Sequence, residues 1–352
     1  MLQARYAPYR LLFKEPSGTS RGVMTYKDCY MVQLYDDAHP NRVGWGECAL
    51  FRGLGSDDRP EYEAVLGDAC RNVGVRPFEE VVQSLSEWTS IRFGFETAWQ
   101  ELMGWCDYPS RFDTGEQPIT INGLVWMGDK ATMLQRIEEK LQAGFRCVKL
   151  KIGAIDFEAE LDLLRVVRSR FSRNEIELRV DANGAFTPDE APRKLDALAQ
   201  YDLHSIEQPI KAGQWESMAQ LCACTPIPIA LDEELVLCRK VTPDLAAQLL
   251  DVIKPQYIVL KPSLTGGLTG SELWRKAAVE RGVGWWITSA LESNIGLSAI
   301  ARYTASLPTD MPQGLGTGLL YTNNISSPLC QEGEILTYRP QGAWQYPRLA
   351  WK

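Results

Sequence analysis

Five charged residues return at intervals of 25 to 30 positions, each closing a short apolar run: Lys151 in VKLKIG, Asp181 in LRVDANG, Glu207 in SIEQPI, Asp232 in IALDEEL and Lys261 in IVLKPSL. The interval is the length of one strand, one helix and two short loops, the β/α unit of a parallel barrel. In that architecture every strand ends on the same face, and catalytic groups collect there. Residues distant in sequence are therefore expected to converge as three carboxylates flanked by lysines. A single charged residue after a strand is ordinarily a helix cap or a solvated loop residue. Five in register are hard to obtain from independent caps.

The alternation within these runs carries the same message. Lys149 and Lys151 are two positions apart, so both point to one face of a strand, and Arg179, Asp181 and Asn183 repeat the pattern on the next. Charges among Val, Leu and Ile are costly unless they are paired or bind a metal. Barrel strands are expected near Ile119–Leu124, Cys147–Ile152, Glu177–Asp181, Ser205–Gln208, Ile229–Asp232, Tyr257–Lys261, Gly284–Ser289 and Gln313–Gly316. Amphipathic helices fill the gaps, as at Lys130–Ala143, Phe157–Ser169, Pro188–Tyr201 and Gly270–Arg281. Little chain follows Gly316 to make a full eighth helix. The fold class is thus α/β, a modified TIM barrel spanning residues 118–325.

Residues 1–117 read differently. Strands at Tyr26–Tyr35 and Val43–Cys48, joined by a turn over Asp36–Asn41, precede helices at Pro60–Val73, Phe78–Glu87 and Ser90–Met103. Strands followed by helices, without alternation, indicate an α+β domain. The segment Leu50–Ser56 has no regular period and is either a mobile lid or a plain connecting loop. A tail at residues 326–352, rich in Pro, Gly and aromatics, is expected to pack back on the first domain.

Composition narrows the function. A net charge of −8 without any Lys/Arg-rich run argues against a nucleic-acid surface. No apolar stretch approaches the roughly 20 residues a membrane helix needs, and the start lacks a signal-peptide pattern, so a cytoplasmic place is expected. Nine scattered cysteines with no CxxC read as reduced thiols. With only His39 and His204 in the chain, neither a zinc site nor an imidazole base is expected. The lysines carry that weight. Hard carboxylate ligands suit Mg²⁺, with Mn²⁺ as a substitute.

With these motifs located, the chain resembles the enolase superfamily, in particular its muconate-lactonizing-enzyme subgroup. The resemblance spans nearly the whole chain and implies an N-terminal α+β capping domain, completed by the C-terminal tail, over a (β/α)7β barrel. It also implies roles: Lys149-x-Lys151 on the second barrel strand, Asp181, Glu207 and Asp232 as metal ligands on the third to fifth, and Lys261 on the sixth. Within the subgroup, VLKPSLTGGL (259–268), SALESNIGL (289–297) and GLGTGLLYTNN (314–324) are most similar to the o-succinylbenzoate synthase family. Dipeptide epimerases of the subgroup place acidic residues after the last strand, where this chain has Gly314, Gly316 and Gly318.

What the resemblance implies is proton removal next to the carboxylate of a small-molecule substrate, giving an enediolate. Lys151 would be the general base, Lys149 its electrostatic partner, and Lys261 the opposing cation, acting in a syn dehydration of menaquinone biosynthesis. A lysine base needs its ammonium destabilised, and the candidates are Lys149 and the metal. Ser289 and Ser293, and backbone N–H groups at Gly314 and Gly316, are candidate carboxylate contacts. Arg179 could orient the site through an ion pair behind Asp181, with Asn183 in a similar supporting role. Glu233 and Glu234 either support the metal ligands or cap the next helix, while Ile206 packs outward. An N-succinylamino-acid racemase or dipeptide epimerase is the alternative, and a non-catalytic, metal-stabilised binding protein a second one.

Overall fold

The computed structural model describes residues 1–19 and 22–352, and of 17–19, 40 and 41 the backbone alone. The chain opens with an antiparallel sheet of β1 (Leu2–Thr19), β2 (Gly22–Asp36) and β3 (His39–Cys48), in that spatial order. Sequence reading finds the second and third strands and misses the first. Pro8 and Pro16 argue against a strand, but β1 lies on the sheet edge, where a missing N–H is tolerated. Helices α1 (Tyr62–Asn72), α2 (Phe78–Ser84) and α3 (Thr89–Met103) cover the sheet. The contact is close because β3 presents glycine: a Cβ at Gly46 would sit 1.9 Å from the Gly94 carbonyl oxygen of α3.

The second region begins with β4 (Ile119–Thr120) and β5 (Gly123–Val125). Alternation follows: α4 (Lys130–Gln142), β6 (Cys147–Lys151), α5 (Phe157–Arg168), β7 (Glu177–Asp181), α6 (Ala191–Leu198), β8 (Ser205–Glu207), α7 (Trp215–Cys224) and β9 (Ile229–Leu231). It continues through α8 (Glu233–Val236), α9 (Pro243–Ile253), β10 (Tyr257–Leu260), α10 (Gly267–Glu280), β11 (Gly284–Ile287) and α11 (Asn294–Ala305). Strands β5 to β11 form one parallel sheet in sequence order. Their outward residues, among them Val148, Leu150, Val180, Ile206 and Leu260, are buried in the core shared with the helices. Each large apolar side chain removed from water contributes roughly 1.5–3 kcal/mol. Inward positions carry Ala230, Val259 and Trp286, a small apolar plug below the site.

Ring closure departs from expectation at both ends. The anticipated strand Ile119–Leu124 divides, β4 leaving the barrel to pair with a C-terminal hairpin of β12 (Leu329–Glu332) and β13 (Ile335–Tyr338). The eighth strand shrinks to Gln313 and Gly314, which bridge Ile121 on one side and Thr288 on the other. Gln313 stitches the gap: its N–H donates to Thr120 (2.9 Å) and its carbonyl accepts from Asn122 (2.9 Å). Its side-chain oxygen accepts the Ile287 N–H at 2.8 Å. Pro312, which has no N–H, precedes it and helps keep the pairing short. Beyond the hairpin the chain returns to the first sheet, where Lys352 and Tyr6 exchange backbone hydrogen bonds and Tyr346 stacks on Trp45 at 4.1 Å.

Candidate active site

Register sets the core of the site. Lys151, Asp181 and Glu207 are directly paired across β6, β7 and β8, so their side chains emerge side by side from one level of the sheet. One level below, Lys149 pairs with Arg179 and Arg179 with Ser205. Asp232 and Lys261 follow the last residues of β9 and β10.

These groups interlock. The Lys149 ammonium donates to Glu207 (2.7 Å) and Asp181 (3.2 Å). Lys151 donates to Asp181 (3.0 Å) and to the Asn183 side-chain oxygen (2.7 Å), and Lys261 pairs with Asp232. Asn183, in a left-handed backbone conformation (φ 46°), passes its amide to Glu233 at 3.1 Å. Burial opposes the charge on Lys149, but Glu207 and Asp181 hold its pKa above the ordinary lysine value, and Asp232 does the same for Lys261. Burial would raise the Asp181 pKa, yet Lys151 and Lys149 pull it well below the usual carboxylate range. Glu207 is pushed up to about 8 by burial and then by Asp181, with Lys149 opposing. Burial likewise raises Asp232 and Glu233.

A cavity of about 830 Å³, counting its solvent-open mouth, lies over this network. Lys149, Lys151, Asp181, Asn183, Lys261, Ser289, Gly314 and Gly316 all line it. Glu207 and Asp232 do not; they are 1% and 0% exposed. Phe51, Leu54, Leu124, Trp126, Ala290 and Leu291 make its walls largely apolar. The Leu50–Ser56 segment therefore contributes two buried side chains, Phe51 and Leu54, to the roof.

Several expectations change here. Arg179 does not pair with Asp181; its guanidinium binds Glu177 (2.7 Å) and the Pro312 carbonyl (3.0 Å) and lies over the Trp286 ring. Sharing a strand face is not sharing a level: Glu177 sits two residues toward the strand start, at the opposite end from the cavity. The Gly314 N–H is engaged by the Ile287 carbonyl at 2.8 Å, so it is not free to meet a carboxylate. The Gly316 N–H has no acceptor among the described residues. Ser293 faces away from the cavity, capping α11 and donating to Glu47 of β3 at 2.5 Å. Glu233 enters the cavity wall, whereas Glu234 turns to the Gly213 N–H and Trp215. Thr288, Thr317 and Asn122 line the cavity without being anticipated, because no local motif distinguishes them from loop polars.

Among the described residues, no group of three or more His, Cys, Asp and Glu side chains is arranged, as they stand, to hold a metal ion. The physical reason is on view: lysine ammoniums stand between the carboxylates and neutralise them. Asp181 has both oxygens engaged, Oδ2 by Lys149 and Lys151 and Oδ1 by the Asn183 N–H, but three neighbouring carboxyl groups each keep an unsatisfied oxygen. Glu207 Oε1, Asp232 Oδ1 and Glu233 Oε2 are buried without a hydrogen-bond partner. A buried carboxyl oxygen without a partner is costly, which is why burial raises the pKa of all three groups, and a hard cation would satisfy these oxygens in the ionised form.

Comparison with known proteins agrees with this geometry. The family model described as Enolase C-terminal domain-like matches residues 132–332. An o-succinylbenzoate synthase of Desulfotalea psychrophila is 44% identical, over 95% of this chain and 98% of its own. The crystal structure of MenC from the same organism superposes with a TM-score of 0.83 at 40% identity, covering 96% and 99% of the two chains. A dipeptide epimerase of Enterococcus faecalis, solved with Mg and the dipeptide L-Leu-L-Tyr, shares the fold at a TM-score of 0.82, with 20% identity and 96% coverage of each chain. The chain belongs to the enolase superfamily and, within it, to the family of o-succinylbenzoate synthases, which are carbon–oxygen lyases.

Proposed function

We propose that the protein catalyses the syn dehydration of 2-succinyl-6-hydroxy-2,4-cyclohexadiene-1-carboxylate to 2-succinylbenzoate, a step of menaquinone biosynthesis, with Mg²⁺ as cofactor and Mn²⁺ as a substitute. The observation that carries this reading is the placement of Lys151 and Lys261 in one apolar-walled cavity, in a chain 44% identical to a protein of that name. Asp181, Glu207 and Asp232 would hold the metal, which when bound offsets negative charge developing on the substrate carboxylate. The Lys151 amine takes the proton from the carbon next to that carboxylate, leaving an enediolate. Electrons returning from the enediolate expel the hydroxyl, and the Lys151 ammonium protonates it as water, so the base ends as it began. Lys261 stays charged on the far side of the ring of strands and stabilises the anion. Lys149, bound to Asp181 and Glu207, is the cation beside Lys151 and its electrostatic partner, helping to hold Asp181 ionised and opposing the burial that pushes Glu207 up.

A racemase reading draws on the same two lysines, since β6 and β10 lie on different sides of the barrel and each could carry a proton. The wall after the last strand favours dehydration. Gly314, Gly316 and Thr317 supply no carboxylate there for a substrate ammonium. A cytoplasmic place belongs to this proposal, as for a metabolic enzyme acting on a small soluble carboxylate.

The test is turnover of the cyclohexadiene precursor and of N-succinylamino acids with Mg²⁺, in ordinary and heavy water. Dehydration should dominate, and Lys151→Ala should abolish it. Faster turnover of N-succinylamino acids, with deuterium entering both enantiomers, would reassign the function to racemisation.

A further inference from the structure

We propose that Lys27, on β2 of the first domain, is a positioning residue for this active site, its ammonium holding the Ala290–Leu291 turn in the shape that forms one cavity wall. The proposal rests on the functional reading above for its kinetic arm only. Lys27 is 3% exposed, and a lysine this buried is ordinarily paired with a carboxylate. Its hydrogen bonds instead go to two peptide carbonyls, Ala290 at 2.9 Å and Leu291 at 3.0 Å. Both residues line the cavity, as does Phe51, whose ring lies 5.6 Å from the same ammonium.

The turn needs holding. Leu291 has φ 65°, a left-handed conformation that a branched side chain rarely adopts and that persists only when its surroundings enforce it. Three groups hold it, two of them from distant parts of the chain. Besides Lys27, the Tyr321 hydroxyl donates to the Leu291 carbonyl at 2.7 Å. The Glu292 carboxylate accepts the Ala290 N–H at 2.7 Å and is itself anchored by Ser263 at 2.5 Å. Immediately beyond, Glu47 of β3 accepts the Ser293 and Gly296 N–H groups. The first domain thus reaches the barrel loop with one cation and one anion a few residues apart. The cation is the one that touches cavity-lining residues. Loss of Lys27 releases two carbonyls and leaves the strained turn with Tyr321 and Glu292 alone.

The experiment combines steady-state kinetics with hydrogen exchange of the peptide covering 288–296, on the full-length, Mg²⁺-loaded enzyme. For Lys27→Met the expected result is KM raised about tenfold with kcat within about twofold, the pattern of lost ground-state binding. Exchange in 288–296 should quicken, and Lys27→Arg, which keeps a cation, should lie nearer wild type in both. Should Lys27→Met not fold, Tyr321→Phe removes one donor to the same carbonyl and should raise KM by about two- to threefold, again with kcat kept. A fall in thermal stability with KM and exchange in 288–296 unchanged would make Lys27 a brace and overturn the proposal. If the wild-type enzyme does not turn over the precursor, the functional reading fails by itself, and the exchange data still decide the role of Lys27.

Discussion

Replacing Gly314 by alanine tests whether the barrel closes as described and whether that closure shapes the cavity. The new Cβ would lie 2.1 Å from Thr288 Oγ1 and 2.6 Å from Thr288 Cβ, far inside van der Waals contact. Either Thr288 or the Gln313–Gly314 bridge must move. Overpacking of this kind costs ~1–3 kcal/mol. Gly314 also anchors four hydrogen bonds: its N–H to Ile287 (2.8 Å), and its carbonyl from the Ser289 N–H (3.0 Å), Thr288 Oγ1 (3.0 Å) and Ser289 Oγ (3.2 Å). At ~0.5–1.5 kcal/mol each, losing two of them brings the expected cost to roughly 4 kcal/mol. Ser289 and Gly316 line the cavity, so KM should rise several-fold as well. Gly316→Ala is the matched control, because its Cβ would meet Ile121 Cδ1 at 3.5 Å and the Asn122 carbonyl oxygen at 3.6 Å, ordinary contacts. Urea denaturation and initial rates of both variants supply the comparison. In Gly314→Ala/Thr288→Gly the clashing atoms are gone, and the double variant should cost less than the two single changes added together. Strict additivity, or a Gly314→Ala enzyme indistinguishable from Gly316→Ala, would refute the closure argument.

Chelation should remove activity, Mg²⁺ or Mn²⁺ should restore it, and the thermal midpoint should climb with Mg²⁺ concentration as a ligand for the native state requires; a midpoint indifferent to Mg²⁺ would count against Asp181, Glu207 and Asp232 as its ligands. Glu96→Ala should cost ~1–2 kcal/mol in a stability measurement while leaving KM alone, because the Glu96 carboxylate caps α10 at the Leu268 N–H (2.6 Å) and pairs with Arg92 (2.8 Å), away from the cavity. Asp57 is buried, accepts from the Ser90 N–H and hydroxyl, and has its pKa raised above its ordinary 3.8 chiefly by burial. Because the folded protein then binds the proton more tightly than the unfolded chain, stability from this group falls as pH rises through that window. Asp57→Asn should accordingly be at least as stable as wild type at pH 7, with any advantage shrinking as pH drops below about 4; an advantage that grows on acidification would reverse the sign and the reasoning.

The order of elements and the identity of the central charged residues could be read from the chain alone, because both are local properties. Strand ends, alternation and helix caps such as Asp129, Asp156 and Thr242 depend on residues a few positions apart. Parallel register then places Lys151, Asp181 and Glu207 side by side with no further information. Tertiary structure decided what lies between partners far apart in sequence. The α10 start, expected at Gly270, moves to Gly267 because its capping carboxylate comes from Glu96, 172 residues earlier. Arg179 turned to Glu177 and Pro312 for the same reason: strand face is legible in a sequence, but the depth at which an interior charge finds its partner is not. Likewise Gln313 closes the ring, and Lys27 holds a turn 263 residues away, through single side chains that no periodicity marks. A periodic pattern reports which face of an element is buried; which groups meet across that face is set only when the chain has folded.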